Sequence, residues 1–282
     1  MSGLNEVADE TAWIGSENTV EDRLTQRLAD QWRGALQFDG LAISPELLGV
    51  HWILGVGTPG NAELGADGHA RKGEFLPPIT LPRRMWASSE LEFLASPTVN
   101  DEVTHRSRVE GIAHKTGRSG PLCFVTVDHA WSTSRGVLVR EKQHIVYRDS
   151  VPPRNAAAPH DAPEFPTAQH SLEIACKPVH LFRFSALTYN SHRIHYDFPY
   201  ATEVEGYAGL VVQGPLQASL LLNFARQVAG RVPRRFAFRG VAPLIADHAF
   251  ALHANEDAEG LKLCVRDEYN LTTMTAVAEW DT

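Results

Sequence analysis

Near the start of the chain, apolar residues recur at intervals of four. Leu24, Leu28, Trp32 and Leu36 in VEDRLTQRLADQWRGAL make one stripe, which predicts an amphipathic helix. Thr19 precedes that run and Asp22 follows three residues on, an arrangement resembling a capping box. From 49 to 86 the periodicity gives way to Gly and Pro, predicting loop around a short apolar run from Trp52 to Val56. Strand character returns in LEFLAS, VTHRSRVEGIAHK, PLCFVTVDHAWS and VLVREKQHIVYR. In the last of these Val137, Val139, Ile145 and Tyr147 alternate in part with polar positions. GRSGP, 117–121, reads as the turn of a hairpin.

Residues 150–170, SVPPRNAAAPHDAPEFPTAQH, carry no periodicity and read as an extended linker. Beyond them HLFRFSALTYN is a strand candidate, and GPLQASLLLNFARQVAG is a helix apolar on nearly every side. A helix of that kind must be surrounded by protein. RRFAFRGVAPL, HAFALHANED, LKLCVRDE and MTAVAEW then predict four strands in succession. Strands following strands, with no strand–helix alternation, exclude a doubly wound parallel sheet and favour an antiparallel α+β architecture.

The chain's 282 residues allow two ordinary domains or one large one. Twenty-six Lys and Arg against 34 Asp and Glu give a net charge of -8 with no basic run, which argues against nucleic acid or an anionic membrane as partner. No segment approaches the ~20 apolar residues of a membrane span. MSGLNEVADETAW lacks the apolar region of a secretory signal. Cys123, Cys176 and Cys264 are odd in number and form no C-x-x-C pair, so they are expected as buried apolar thiols in a cytoplasmic protein. The Gly-rich stretch matches neither a Walker loop nor a G-x-G-x-x-G turn, so no nucleotide cofactor is expected.

The densest polar cluster runs from Thr188 to Asp197, TYNSHRIHYD. His192-x-x-His195-x-Asp197 places two imidazoles and a carboxylate in six residues, which leaves a metal-dependent hydrolase as one alternative. H-x-x-H without a neighbouring Glu or a distant third His is a weak metal signal.

The stretch FRFSALTYNSHRIHYDFPYATEVEGYAGLVVQGPLQASL resembles the MaoC-like, R-specific enoyl-thioester hydratases. The likeness is closest to the branch that includes the mesaconyl-C4-CoA and itaconyl-CoA hydratases and the mitochondrial 3-hydroxyacyl-thioester dehydratases. FLPPITLPRRMWA, KTGRSGPLCFVTV and QHIVYRD resemble the N-terminal half of the same branch. The resemblance implies an α+β double hotdog, two buried helices each wrapped by a curved antiparallel sheet. Its halves would be a degenerate copy at 1–150 and a catalytic copy at 171–282, joined by the 151–170 linker. It also implies one site per chain, at the junction of the halves, and a homodimer without metal or cofactor.

The family motif Asp-x-Asn-Pro-x-His places its His on His195, its Asp position on Asn190 and its Asn position on His192. The resemblance thus casts His195 as general base and acid and Asn190 as the group that positions water. His192 and Tyr189 would orient water or substrate, and backbone N–H groups around Gln213 and Gly214 would stabilise the enolate oxygen. Arg83, Arg84 and Arg193 are candidates for a CoA phosphate or a substrate carboxylate, or for ordinary ion pairs. In a chain of net negative charge, anionic CoA must be met by such local arginines. Asp197 reads as a helix cap. Trp52, Phe75, Trp86 and Phe93 are expected either along an acyl tunnel or in plain core. The implied activity is hydration of an enoyl-CoA, short and branched or dicarboxylic. The alternatives are a 3-hydroxyacyl-thioester dehydratase acting on CoA or acyl carrier protein, and a thioester-binding protein without chemistry.

Overall fold

The N-terminal apolar stripe forms a helix, but a later one than Thr19 and Asp22 predict. A computed structural model describes residues 9–117, 120–149, 166–258 and 260–281, so most of the expected linker and the tip of the GRSGP turn lie outside the described residues. Helix α1 spans Gln26–Leu36, and the Thr25 hydroxyl accepts a hydrogen bond from the Leu28 amide at 3.2 Å. Glu17–Arg23 is instead strand β1, antiparallel to β3, Glu102–Gly117. Val20 and Asp22 turn inward there, and Asp22 accepts from the Gly55 amide at 3.0 Å. A period of two over seven residues outweighs a polar pair at capping spacing.

A second correction concerns HLFRFSALTYN. It is not a strand but most of helix α2, Pro178–Thr188, with Pro178 at its first turn. Leu181, Phe184 and Ser185 are buried while Val179 and Phe182 are exposed, a spacing of three and four. Helix α3, Gly214–Ala229, is buried from Leu216 to Ala225 and ends at Gly230 with φ +70°.

The remaining strands are β2 (Arg83–Phe93), β4 (Gly120–Thr133), β5 (Gly136–Arg148), β6 (His170–Ala175), β7 (Arg235–Gly240), β8 (Ala249–Glu256), β9 (Gly260–Asp267) and β10 (Thr272–Glu279). All ten join one antiparallel sheet in the order β1-β3-β4-β5-β2-β7-β10-β9-β8-β6. Each half lays its strands in the same sequence, first-third-fourth-fifth-second, and the two second strands, β2 and β7, meet in the middle. This is the α+β double-hotdog arrangement. The second half wraps a full helix, α3, whereas at that point in the first half stands one 3-10 turn, Val50–Ile53, with all four residues buried.

The main core gathers α1, α2, α3 and the concave sheet face, with Trp32 packed on Phe184 at 5.9 Å. Three polar side chains inside α3 are all satisfied. Gln217 accepts from the Thr273 hydroxyl, the Ser219 hydroxyl donates to the Pro215 carbonyl, and Asn223 accepts from the Ser44 amide and donates to the Ser219 carbonyl. A smaller cluster of Ile79, Val109, Cys123, Val125, Val127, Ile145 and Tyr147 lies under Phe75, Leu76 and Leu81. It fastens the C-terminal end of the long 55–82 loop to the sheet. Lys72 adds to the anchor, donating to the Ile79 and Leu81 carbonyls at 2.8 and 2.6 Å. The three cysteines are free and buried.

Candidate active site

The polar cluster between α2 and α3 folds into a short loop because α2 stops at Tyr189. That residue has φ +52°, and the Asn190 amide bonds back to the Ser185 carbonyl at 2.9 Å. Asn190 Oδ1 accepts from the His192 amide at 3.1 Å, closing the turn and leaving its Nδ2 to donate elsewhere. A 3-10 turn, Arg193–His195, then buries Ile194 and His195.

The His195 ring is held by a 2.7 Å hydrogen bond from Nδ1 to the Val211 carbonyl, while the Val211 amide bonds to the Ile194 carbonyl at 3.0 Å. The carbonyl can only accept, so Nδ1 carries the hydrogen and Nε2 presents a lone pair. Burial lowers the His195 pKa to about 4 against the opposing hydrogen bond to Val211, so the ring is neutral at neutral pH. Its partner Val211 lies three residues before Gly214, where α3 begins. The first amides of that helix have no intrahelical acceptor, and Pro215 has none to satisfy. Gln213 is fully buried and ties this helix start to α2, donating from Nε2 to the Leu181 carbonyl and the Ser185 hydroxyl, both at 2.9 Å.

His192 stands edge-on to His195, ring centroids 5.4 Å apart, and burial with the charges of His69 and His195 lowers it to about 2. The ring on its other side comes from a distant part of the chain. His69, from the first half, packs against His192 at 4.1 Å. Asp67 Oδ2 takes the hydrogen of His69 Nδ1 at 2.8 Å, and Oδ1 accepts from the His69 amide at 3.0 Å. Burial favours a protonated Asp67, yet the hydrogen bonds and charge of His69 overcome it and hold the carboxyl well below the usual range. Burial also keeps His69 below its ordinary value, with Asp67 pulling the other way.

The loop that delivers this pair is pinned to the second half through its backbone. The Arg193 amide donates to the Asp67 carbonyl at 2.9 Å, the Ser191 hydroxyl to the Gly68 carbonyl at 2.5 Å, and Arg193 Nη1 to the Ala66 carbonyl at 3.0 Å. Gly68 has φ +88°, and a Cβ there would stand 2.0 Å from the Ser191 carbonyl oxygen. Only glycine permits the approach. The signal in the sequence was the Asp-Gly-His triplet itself, a turn that bends an imidazole back onto its own carboxylate.

Several expected members lie outside the row of imidazoles. Tyr189 is 56% exposed. Arg193 and Arg83 are engaged with carboxylates: Arg193 with Asp197 at 2.8 Å and over the Tyr200 ring, Arg83 with Glu205 at 2.9 Å. Arg84 differs, since the structure gives it no ion pair among the described residues and its charge bears on His69, His192, Lys72 and Tyr147. Asp197 caps the next turn by accepting from the Tyr200 amide at 3.1 Å, as expected. The metal arrangement His192, His195 and Asp197 is therefore not assembled, because Asp197 faces Arg193 and His195 Nδ1 faces a carbonyl. Asp67, His69 and His192 do offer atoms within 4.8 Å of one another. Their carboxylate is already hydrogen-bonded, and the cations Arg84 and Lys72 oppose added positive charge.

Of the four aromatics, Trp52 and Trp86 meet edge to face at 5.9 Å, and both pack at 6.1 Å from Phe238 in the core. Phe75 covers the smaller cluster. Phe93 lines a cavity of about 160 Å³ together with His51, Trp131, Leu138 and Val139.

Comparison with known proteins gives the family and the fold. The profile of the hydroxyacyl-thioester dehydratase type 2 family matches residues 49–246. Mesaconyl-C(4)-CoA hydratase of Chloroflexus aurantiacus is 37% identical over 275 residues, covering 96% of this chain and 98% of that one. A MaoC-like dehydratase from Phytophthora capsici superposes with a TM-score of 0.68 at 12% identity, covering 95% of this chain and 96% of that one. A conserved Mycobacterium tuberculosis protein described as a double hotdog fold gives 0.53 at 14% identity, covering 95% and 96%. At such identities the two structural likenesses carry the fold alone.

Proposed function

The chain belongs to the hydroxyacyl-thioester dehydratase type 2 family, and from that membership we propose that it is a hydro-lyase adding water reversibly to an enoyl-CoA. The preferred substrate in this reading is a short branched or dicarboxylic enoyl group such as mesaconyl-C4-CoA or itaconyl-CoA. The near full-length likeness to the Chloroflexus hydratase supports it. The observation that carries the chemistry is His195, a buried neutral imidazole with its tautomer fixed and Nε2 available.

In the hydration direction Nε2 takes a proton from water as the oxygen bonds to Cβ. The π pair moves toward the thioester oxygen as an enolate, and the proton then goes to Cα. Asn190 Nδ2 holds the water, and His192 borders it. The free amides at the start of α3, at Gly214 and after, face the developing oxyanion, where a helix N-terminus favours negative charge. Arg84 is the arginine of the three best placed for a substrate carboxylate, since Arg83 and Arg193 are engaged. The catalytic half is the C-terminal one, roughly 171–282, and 1–150 is the degenerate copy. The same reading makes the protein a cytoplasmic homodimer. Its buried free thiols support the first part, and the exposed apolar side chains Val179, Phe182, Phe198 and Val204 support the second.

The test is a panel of mesaconyl-C4-CoA, itaconyl-CoA, crotonyl-CoA and a medium-chain enoyl-CoA, followed by loss of the enoyl absorbance. Dicarboxylic substrates should be hydrated fastest, and His195→Ala should lower kcat by about 10²–10⁴-fold. Equal rates on all four would remove the dicarboxylate preference, and unchanged activity in the variant would remove His195 as base. The same chemistry in reverse, on 3-hydroxyacyl thioesters of CoA or carrier protein, is the second reading, favoured by the family's description.

A further inference from the structure

The 55–82 loop brings a carboxylate–imidazole pair to a site whose own motif has Asn190 where a carboxylate would stand. Both oxygens of Asp67 are engaged by His69, one at Nδ1 and one at the backbone amide. The ring is therefore held as its Nδ1–H tautomer, with a lone pair on Nε2. His69, His192 and His195 form a row, ring centroids 4.1 and 5.4 Å apart. The two ends of the row differ. His195 ends on the Val211 carbonyl, a dipole, whereas His69 ends on a full negative charge. A proton that enters this buried row is more stable at the His69 end, because only there does a carboxylate stand against the imidazolium. The other carboxylates nearby are held elsewhere, Asp197 on Arg193 and Glu205 on Arg83. The amide of Asn190 cannot hold a proton.

We propose that the Asp67–His69 pair stores the proton between the two halves of the reaction and delivers it to Cα. This rests on the hydratase reading. In hydration the O–H bond of water breaks toward His195 Nε2 as the C–O bond forms and the π pair shifts to the thioester oxygen. The proton is then taken up at His69 Nε2. A new C–H bond then forms at Cα as the enolate pair returns to carbon, and all three imidazoles end neutral. In dehydration His69 removes the α-proton. Its imidazolium is opposed by Arg84 and Lys72 and offset by Asp67, the charged groups that bear on it.

The test uses the full chain and whichever enoyl-CoA the wild type hydrates. Asp67→Asn keeps the size of the loop side chain, His69→Gln keeps a polar group near Nε2, and His69→Ala opens space for added imidazole. In each variant kcat should fall by about 10²–10⁴-fold with KM within about threefold of the wild type. Substituted imidazoles should restore His69→Ala activity in proportion to their basicity. Asp67→Asn should move the acid limb of the kcat profile to lower pH, since His69 loses the group that raises it. The proposal is overturned if Asp67→Asn and His69→Gln both keep kcat within about threefold. It is equally overturned by a large loss with no imidazole rescue and an unmoved pH profile, because the pair then only fastens the loop. A wild type that hydrates no enoyl-CoA overturns the hydratase reading itself, a result distinct from either.

Discussion

For His195, the proposed base, burial sets the working range against an opposing hydrogen bond. A histidine whose folded pKa is depressed to about 4 stays deprotonated as pH falls through the ordinary value of 6.5. The acid limb of kcat/KM, which reports the free enzyme, should therefore lie nearer pH 4 than 6.5, and a pH–rate profile checks it. A limb at 6.5 would place another histidine in that role. Gly68 gives a second test at this scale. Gly68→Ala needs a side chain at φ +88° with its Cβ 2.0 Å from the Ser191 oxygen. The strained backbone alone costs about 1–3 kcal/mol, so thermal unfolding should shift down and activity should fall as the loop lifts from Ser191. The grouping of His195, His192 and Asn190 is legible because they sit within six residues of one another. Asp67 and His69 were not, because more than a hundred residues of chain separate them from His192 and only the tertiary fold removes that distance. The roles of the three arginines were equally illegible, since a sequence does not say that Glu205 and Asp197 claim Arg83 and Arg193.

Among the elements, the strands of the first half carry a buried polar group that the proposed chemistry does not use. His105 on β3 and His129 on β4 share a 3.1 Å contact and the Ser107 hydroxyl, close to His51 and to Glu141 on β5. Burial, reinforced by the charges of His105 and His129, lowers His51 to about 3, and burial pushes Glu141 up to about 7 against hydrogen bonds from Ser89 and Trp52. The signs are opposite in origin and narrow the stable window from both sides. The depressed histidines give stability that is present above pH 6.5 and is lost as pH falls toward about 3. The raised carboxyl gives stability that is present below 4.5 and is lost as pH climbs through about 7. Glu141→Gln removes the second dependence, so its melting temperature relative to the wild type should rise between about pH 5 and about pH 8. A difference independent of pH would mean Glu141 is not protonated in the fold. Elements such as β3, β4, β5 and α3 were legible from periodicity, because burial on one face or on all faces leaves its mark locally. α2 resembles a strand in the sequence because Phe182 to Ser185 alternates, and its helical face becomes visible only once Trp32 is known to pack on Phe184. β1 and β6 were missed as edge strands, whose mostly exposed residues leave little apolar pattern to read.

Across the described residues the two halves repeat one strand order and lean on each other. β2 pairs with β7 from Ser88↔Arg239 to Glu92↔Arg235, and Arg234 bonds Glu92 at 2.9 Å across the same seam. α3, the full helix of the second half, is covered by the segment of the first half that lacks one. The Ala42 and Ser44 amides donate to Gln227 and Asn223, and Glu46 pairs with Arg226. The 55–82 loop then closes over the imidazole row. Removing the first half would leave α3 with Asn223 and a broad apolar face in water, and leave His192 without His69. Residues 166–282 produced alone should therefore be insoluble or inactive. Co-produced with residues 1–149 as a separate chain, they should assemble through β2–β7 and regain hydratase activity without a peptide link, as gel filtration and the enoyl-CoA assay would show. If 166–282 alone is folded and fully active, the cross-half contacts and the Asp67–His69 pair are dispensable, and the first half is only a cover for the substrate.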